Sequence, residues 1–98
     1  MALTASDGDI IIVGNANIGS SSHILVMRVS SSTFQIQWTK AFQAEGTNVA
    51  RDVEIISGDI LVMCTSQASD NSGSLSSGII RLSLDGDVLL KKLIKSGL

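Results

Sequence analysis

Two similar hexapeptides stand 50 positions apart in this chain. Residues 8–13 read GDIIIV, and residues 58–63 read GDILVM. Two further pairs of segments match in the same order, at offsets of 53 and 52: VMRVS (26–30) with IIRLS (79–83), and IQWTKAF (36–42) with VLLKKLI (88–94). Offsets that change only at loop-like segments are typical of an internal repeat. The sequence therefore predicts two copies of one unit, over residues 1–46 and 47–98.

Each copy contains apolar runs that have the length of β-strands. Residues 10–13 and 60–63 are short continuous apolar runs, and residues 24–29 and 79–84 are similar runs that each contain one arginine. Continuous runs of this length are typical of strands that are covered on both faces. We therefore expect two well-covered strands in each copy.

Other segments have the pattern of partly exposed strands. Phe34, Ile36 and Trp38 alternate with polar residues, which is the period of two that a half-exposed strand shows. Residues 48–56 predict a further strand, and the offset of 50 places residues 1–5 in the same strand of the first copy. The sequence thus predicts an all-β fold with about four antiparallel strands in each copy.

Turn residues separate the predicted strands. Asp7-Gly8, Ser57-Gly58 and Asp85-Gly86 each precede an apolar run, and glycine supplies the positive φ that tight hairpins need. Residues 15–22 and 66–77 are predicted to be polar loops between the second and third strands. A four-stranded unit that repeats after about 50 residues is what a β-propeller blade requires, and a β-sandwich of two such sheets is the alternative.

Composition limits the classes of function. The 98 residues are 44% apolar and 16% charged, and the net charge of −2 is spread along the chain. Without a basic stripe or a series of aromatic residues, we expect no nucleic-acid binding. No apolar run approaches the roughly 20 residues of a membrane-spanning helix, so no membrane span is predicted. The single cysteine rules out a disulfide within the chain.

The order of turns and strands resembles the blades of tandem β-propeller repeat proteins of the quinoprotein-like and related bacterial and protist classes. Residues 7–14 and 37–40 match the outline of such a blade, which has an Asp/Gly turn, an apolar strand and a later strand with Trp. Residues 84–87 match its interstrand turn in the second copy, which has Cys64 and Leu90 in place of the glycine and the tryptophan. The resemblance implies two propeller-like blades and favours an extracellular location, whereas the residues alone leave the compartment open.

Few residues could carry chemistry. His23 is the sole histidine and has no nucleophile motif beside it, and Cys64 has no partner at the spacing of zinc ligands. Two turns, 7–9 and 85–87, each carry two carboxylates but lack the further oxygen ligands of a calcium loop. We therefore predict no enzymatic activity, no catalytic residue, no cofactor and no metal site.

Arg28 and Arg81 occupy matching positions inside apolar strands. A buried guanidinium needs a partner, because leaving the charge unpaired inside a protein is costly. A carboxylate on a neighbouring strand, such as Asp52 or Glu54, is the predicted partner of each arginine.

The function that these features predict is that of a non-enzymatic structural or protein-interaction module. Its blades are expected to associate with further copies, or with neighbouring blades, into a ring or a fibre. The residues predicted to carry this association are apolar residues of the first and outer strands: Leu3, Val53, Ile55, Phe34, Ile36, Trp38, Val88, Leu90 and Ile94. The alternatives are a fragment of a larger propeller enzyme, and a ligand- or carbohydrate-binding domain with an exposed Trp38.

Overall fold

A computed structural model of the chain describes residues 2–4, 7–18, 21–42, 47–67 and 75–95. These ranges contain strands and turns and no helix. The strands are β1 (Ala2–Thr4), β2 (Ile10–Ile18), β3 (Ser21–Val29), β4 (Ile36–Phe42), β5 (Thr47–Ile56), β6 (Asp59–Gln67), β7 (Leu75–Leu82) and β8 (Val88–Lys95). The all-β prediction is confirmed.

The strands form two antiparallel sheets of four strands each. In the first sheet the order is β1-β2-β3-β4, and in the second it is β5-β6-β7-β8, so each strand pairs with the next one along the chain. The segments that match in sequence lie in corresponding strands, β2 with β6, β3 with β7 and β4 with β8. Both sheets also have a bulge at the same place, after Arg28 in β3 and after Arg81 in β7.

The connections between the second and third strands are shorter than predicted. β2 continues to Ile18 and β3 begins at Ser21, so most of the predicted loop 15–22 is strand. In the second sheet, residues 66–67 and 75–77 of the predicted loop also lie in strands. Polar residues remain in the ladder here because cross-strand pairs such as Asn17 with Ser22 use the backbone, whatever the side chain.

The predicted turn glycines have the expected backbone conformation. Gly8, Gly58 and Gly86 all have positive φ. At the β5–β6 hairpin both Ser57 and Gly58 have positive φ, which is the geometry of a two-residue type I′ turn. Phe34 was expected in the outer strand, but it lies in the β3–β4 turn with a φ of 58°.

One face of each sheet forms the core. The buried side chains of the first sheet are Ile11, Val13, Ile24, Val26 and Phe42, and those of the second are Val53, Ile60, Val62, Cys64, Ile80 and Leu82. Strand β5 contacts β2 and β3, which brings the two faces together. We call the face of each sheet that carries its arginine, Arg28 or Arg81, the arginine face, and the other the reverse face.

The two sheets meet through unlike faces. Ile11 is opposite Arg28 in the β2–β3 ladder and is fully buried, so the first sheet uses its arginine face. In the second sheet, Leu61 is opposite Arg81, but the fully buried residue of β6 is its neighbour Ile60. Because neighbouring residues of a strand point to opposite faces, the second sheet uses its reverse face.

Two faces therefore have no described strand packed on them: the reverse face of the first sheet and the arginine face of the second. The run Ile10–Val13 was expected to be covered on both sides. Only Ile11 and Val13 are buried, whereas Ile12 is 39% exposed on the reverse face. The strands are apolar on both faces, but among the described residues the fold covers only one face of each sheet.

Candidate functional site

Arg28 bonds residues of both sheets where the two sheets meet, and we call this group of contacts the Arg28 corner. Its Nε donates to Asp9 Oδ2 at 3.0 Å, and its Nη2 forms an ion pair with Asp7. Its Nη1 donates across the interface to the backbone carbonyl of Leu84, in the β7–β8 turn, at 2.8 Å. The Arg28 side chain is only 15% exposed. This guanidinium therefore bonds both its own sheet and the neighbouring one.

Electrostatics at this corner favour the charged forms. The backbone N–H of Ser31 and the guanidinium of Arg28 hold the pKa of Asp9 below its ordinary value. Burial alone would lower the pKa of Arg28, but its hydrogen bonds and its attraction to Asp9 and Asp7 outweigh burial and raise the pKa. The ion pair between Arg28 and Asp9 is thus in place throughout the neutral range.

Trp38 completes the corner. Its Nε1 donates to the same Leu84 carbonyl at 2.9 Å. The β7–β8 turn passes so close that a Cβ added to Gly86 would lie 3.0 Å from the indole ring. Gly86 also has a φ of 92°, so glycine is suited to this position both by its backbone and by the close contact. The turn thereby docks on Trp38 and Arg28 together.

The second sheet has a similar but incomplete corner. Arg81 Nε donates to Asp59 Oδ2 at 2.9 Å, and Asp59 stands where Asp9 stands in the matching hexapeptide. Leu90 is opposite Arg81 in the ladder, as Trp38 is opposite Arg28. The Arg81 side chain is 37% exposed. In the described part of the chain its hydrogen bonds all go to Asp59, and no turn docks on it.

The predicted partners of the arginines were wrong. Asp52 and Glu54 are both exposed, and Asp52 Oδ1 accepts a hydrogen bond from the backbone of Val53 instead. The actual partners, Asp9 and Asp59, each lie two residues before the residue opposite the arginine, which places them diagonally on the same face. The shared Gly-Asp of the two hexapeptides was the signal that could have revealed this pairing.

The residues predicted to carry association have different surroundings. Val53 is buried and Ile55 packs against the core, so both contribute to the contact between the two sheets. Trp38 is partly buried at the same contact. The exposed members of the set are Phe34, Ile36, Val88 and Leu90. Leu3 and Ile94 lie in β1 and β8, and their side chains are outside the described part of the structure.

The residues considered for catalysis are not gathered into a reactive arrangement. His23 lies within β3, and its Nδ1 is buried without a hydrogen-bond partner in the described residues. Cys64 is a buried thiol whose pKa is raised by that burial. Among the described residues, no group of three His, Cys, Asp or Glu side chains could hold a metal ion. The same residues include no helix long and apolar enough to cross a membrane.

Trp38 is partly buried, and Gly86 lies close to its ring. An open cleft of about 240 Å³ lies beside it, lined by Arg28, Gln37, Trp38, Leu84 and Asp85. Its arginine and its indole N–H are already bonded within the protein, and Gly86 packs against the ring. This geometry favours packing over ligand binding for Trp38.

Comparison with known protein families, with curated proteins and with solved structures found no match for this chain.

Proposed function

We propose that this chain is a non-enzymatic self-association module whose two sheets act as propeller-like blades. The uncovered arginine face of one copy packs on the uncovered reverse face of the next, as the corresponding faces do within the chain. Repetition of that contact builds a ring or a fibre from copies of the chain, or from neighbouring blades of the same kind.

The observation that carries the proposal is the meeting of unlike faces inside the chain. If the two units had met through equivalent faces, the contact would be self-complementary and closed. Here the arginine face of the first sheet packs on the reverse face of the second. One face of each type therefore stays uncovered. The outer faces also carry apolar residues at the positions that match buried ones. Leu61 matches the buried Ile11, and Ile12 matches the buried Val62.

The chain is slightly more extended than a compact monomer of its size. The accessible surface is 5835 Å², against roughly 5300 Å² for a compact monomer of this mass. The radius of gyration is 14.0 Å, against about 13 Å for a compact domain of 100 residues. Association with a further copy would bury exposed apolar residues of the outer faces, such as Ile12 and Leu90.

Two blades are too few to close a propeller, which usually has about four to eight. A head-to-tail contact forms a ring if the rotation per copy closes, and it grows into a filament if it does not. Closure into a ring of ordinary size would need about two to four copies of this chain.

The experiment is light scattering of the folded chain over a range of concentrations, with negative-stain imaging of the same sample. The expected result is a mass that is a multiple of 10.2 kDa, or a regular fibre. Ile12→Lys places a charge on the uncovered reverse face and should reduce the mass to that of one chain. Asn17→Lys is the matched control, because it adds the same charge to an exposed position of the same strand on its other face.

A wild-type chain that remains a well-folded monomer at high concentration would contradict the proposal. Equal loss of assembly in the Ile12→Lys and Asn17→Lys variants would also contradict it, since net charge rather than the reverse face would then control association.

A further inference from the structure

The two turns that follow the arginine strands are closed by corresponding hydrogen bonds, Ser30 with Gln35 in one and Ser83 with Asp87 in the other, but the β3–β4 turn is one residue longer. In the β3–β4 turn the N–H of Phe34 donates to the carbonyl of Ser30 at 2.8 Å, and in the β7–β8 turn the N–H of Gly86 donates to the carbonyl of Ser83 at 3.0 Å. Phe34 and Gly86 are also the residues with positive φ, at 58° and 92°. Phe34 and Gly86 therefore each stand directly before the residue that closes the turn, Gln35 or Asp87.

Phe34 is unusual in this position. A bulky residue in the left-handed region is an uncommon conformation and costs of order 1 kcal/mol or more. The side chain is also 73% exposed, so packing within the described structure does not compensate for that cost. A large apolar side chain in a strained and exposed conformation points to a contact outside the single chain.

The docked turn inside the chain shows what that contact would be. Gly86 packs against Trp38 on the arginine face of the first sheet, while Arg28 bonds the carbonyl of Leu84. On the uncovered arginine face of the second sheet, the position of Trp38 is taken by Leu90, which is 48% exposed. Within the chain, the small turn residue Gly86 lies on the large side chain of Trp38. The corresponding residues of the other turn and the other sheet have the opposite sizes, since Phe34 is large and Leu90 is smaller.

We propose that the β3–β4 turn of one copy docks on the arginine face of the second sheet of the next copy, with Phe34 packed against Leu90. Arg81 donates to a backbone carbonyl of that turn, as Arg28 does to the carbonyl of Leu84 within the chain. This contact rests on the head-to-tail association proposed above and specifies its partner residues.

The contact is tested by cross-linking between two different variants, Phe34→Cys and Leu90→Cys, both in a Cys64→Ala background. A short bismaleimide reagent should give a dimer in the mixture of the two variants and not in either variant alone, because a head-to-tail contact never brings two copies of the same position together. Circular dichroism checks that each variant is folded, and light scattering of the mixture reports whether it assembles.

The outcomes separate the contact from the association. A mixture that assembles as the wild type does, without the 34–90 cross-link, would overturn the contact and leave the proposed function standing. Equal cross-linking in each variant alone would overturn it too, since like positions would then be adjacent. If the wild-type chain itself is a monomer, the proposed function fails, and this contact fails with it.

A second pair of variants covers the case in which cysteine at either position blocks assembly. Phe34→Gly removes both the strain and the side chain, so it should stabilise the folded monomer while weakening association at least about tenfold, the equivalent of losing about 1.4 kcal/mol of contact. Adding Leu90→Trp recreates the pair found inside the chain, a glycine turn on a tryptophan, and should restore association. Unchanged association of Phe34→Gly would overturn the contact.

Discussion

Arg28 and Arg81 occupy matching positions, but we expect them to contribute differently to the free energy of unfolding. Both bond a carboxylate diagonally across their own sheet, but only Arg28 also bonds a carbonyl of the other sheet. The first arginine is mostly buried and the second is more than one-third exposed. Burial and the bond between the sheets, rather than the ion pair itself, distinguish the two.

We expect Arg28→Met to lower the free energy of unfolding by about 2 kcal/mol or more, because it leaves two carboxylates without their partner and removes a bond between the sheets. Arg81→Met is the matched control and should cost about 1 kcal/mol or less, as is usual for an exposed pair. Urea unfolding at low protein concentration measures both values. Equal costs would show that the corner at Arg28 does not hold the sheets together.

The lowered pKa of Asp9 makes part of the stability dependent on pH. A carboxyl whose pKa is lower in the folded state stabilises the fold above its ordinary pKa of 3.8, and this contribution is lost as the pH falls through the lowered value. The difference in stability between the wild type and Asp9→Asn should therefore be largest at neutral pH and disappear in strong acid.

Urea unfolding at a series of pH values follows this difference. Glu54→Gln, at an exposed carboxylate of the second sheet, serves as the control and should change stability by less than about 0.5 kcal/mol at every pH. A difference for Asp9→Asn that grows as the pH falls would mean that the carboxylate destabilises the fold.

At the scale of strands, the two sheets should respond oppositely to substitutions at matching positions. Ile11→Ala and Ile60→Ala each empty a fully buried site and should cost about 3 kcal/mol, within the usual range for the core. Leu61→Ala and Ile10→Ala, at the matching positions on uncovered faces, should cost about half as much or less in the monomer. Similar costs at matching positions would indicate that equivalent faces meet.

The β7–β8 turn gives a second test at this scale. Gly58→Ala meets no neighbouring atom within 4 Å, so only its positive φ opposes the change, at about 1 kcal/mol. Gly86→Ala has the same backbone cost and also places a Cβ against Trp38. It should cost about 1–2 kcal/mol more and shift the fluorescence of Trp38, which Gly58→Ala should not do.

The strands and turns were accessible from the sequence because they depend on local patterns. The hexapeptide runs predicted β2 and β6, and the turn glycines predicted the positive φ that the structure has. The partners of Arg28 and Arg81 were not accessible in the same way, because they depend on which residue stands opposite each arginine. Phe34 was assigned to a strand because alternation of apolar residues cannot show that the backbone turns there.

The correspondence between the two sheets also differs from the sequence alignment at the first strand. Thr4 is opposite Ile10 as Ile55 is opposite Ile60, which corresponds to an offset of 51 rather than 50. The chain thus has one residue more between Thr4 and Ile10 than between Ile55 and Ile60. The strand register thus shows which residues of β1 and β5 correspond, although their sequences match poorly.

At the scale of the whole molecule, the faces through which the two sheets meet determine which faces are left uncovered. Continuous apolar strands predicted coverage on both sides, and the sequence alone did not indicate which side each sheet would use within the chain. The structure covers the arginine face of the first sheet and the reverse face of the second. This arrangement gives the molecule two different outer surfaces, which is the condition for head-to-tail growth.

The most direct test of that account is a mixing experiment with two variants, each blocked on a different outer face. Ile12→Lys blocks the reverse face of the first sheet, and Leu90→Lys blocks the arginine face of the second. Each variant alone should be a monomer, because every head-to-tail contact needs one face of each kind. Their equimolar mixture, measured by light scattering, should form a one-to-one dimer with twice the 10.2 kDa mass of the chain. A mixture that stays monomeric while the wild type assembles would contradict head-to-tail association through these faces.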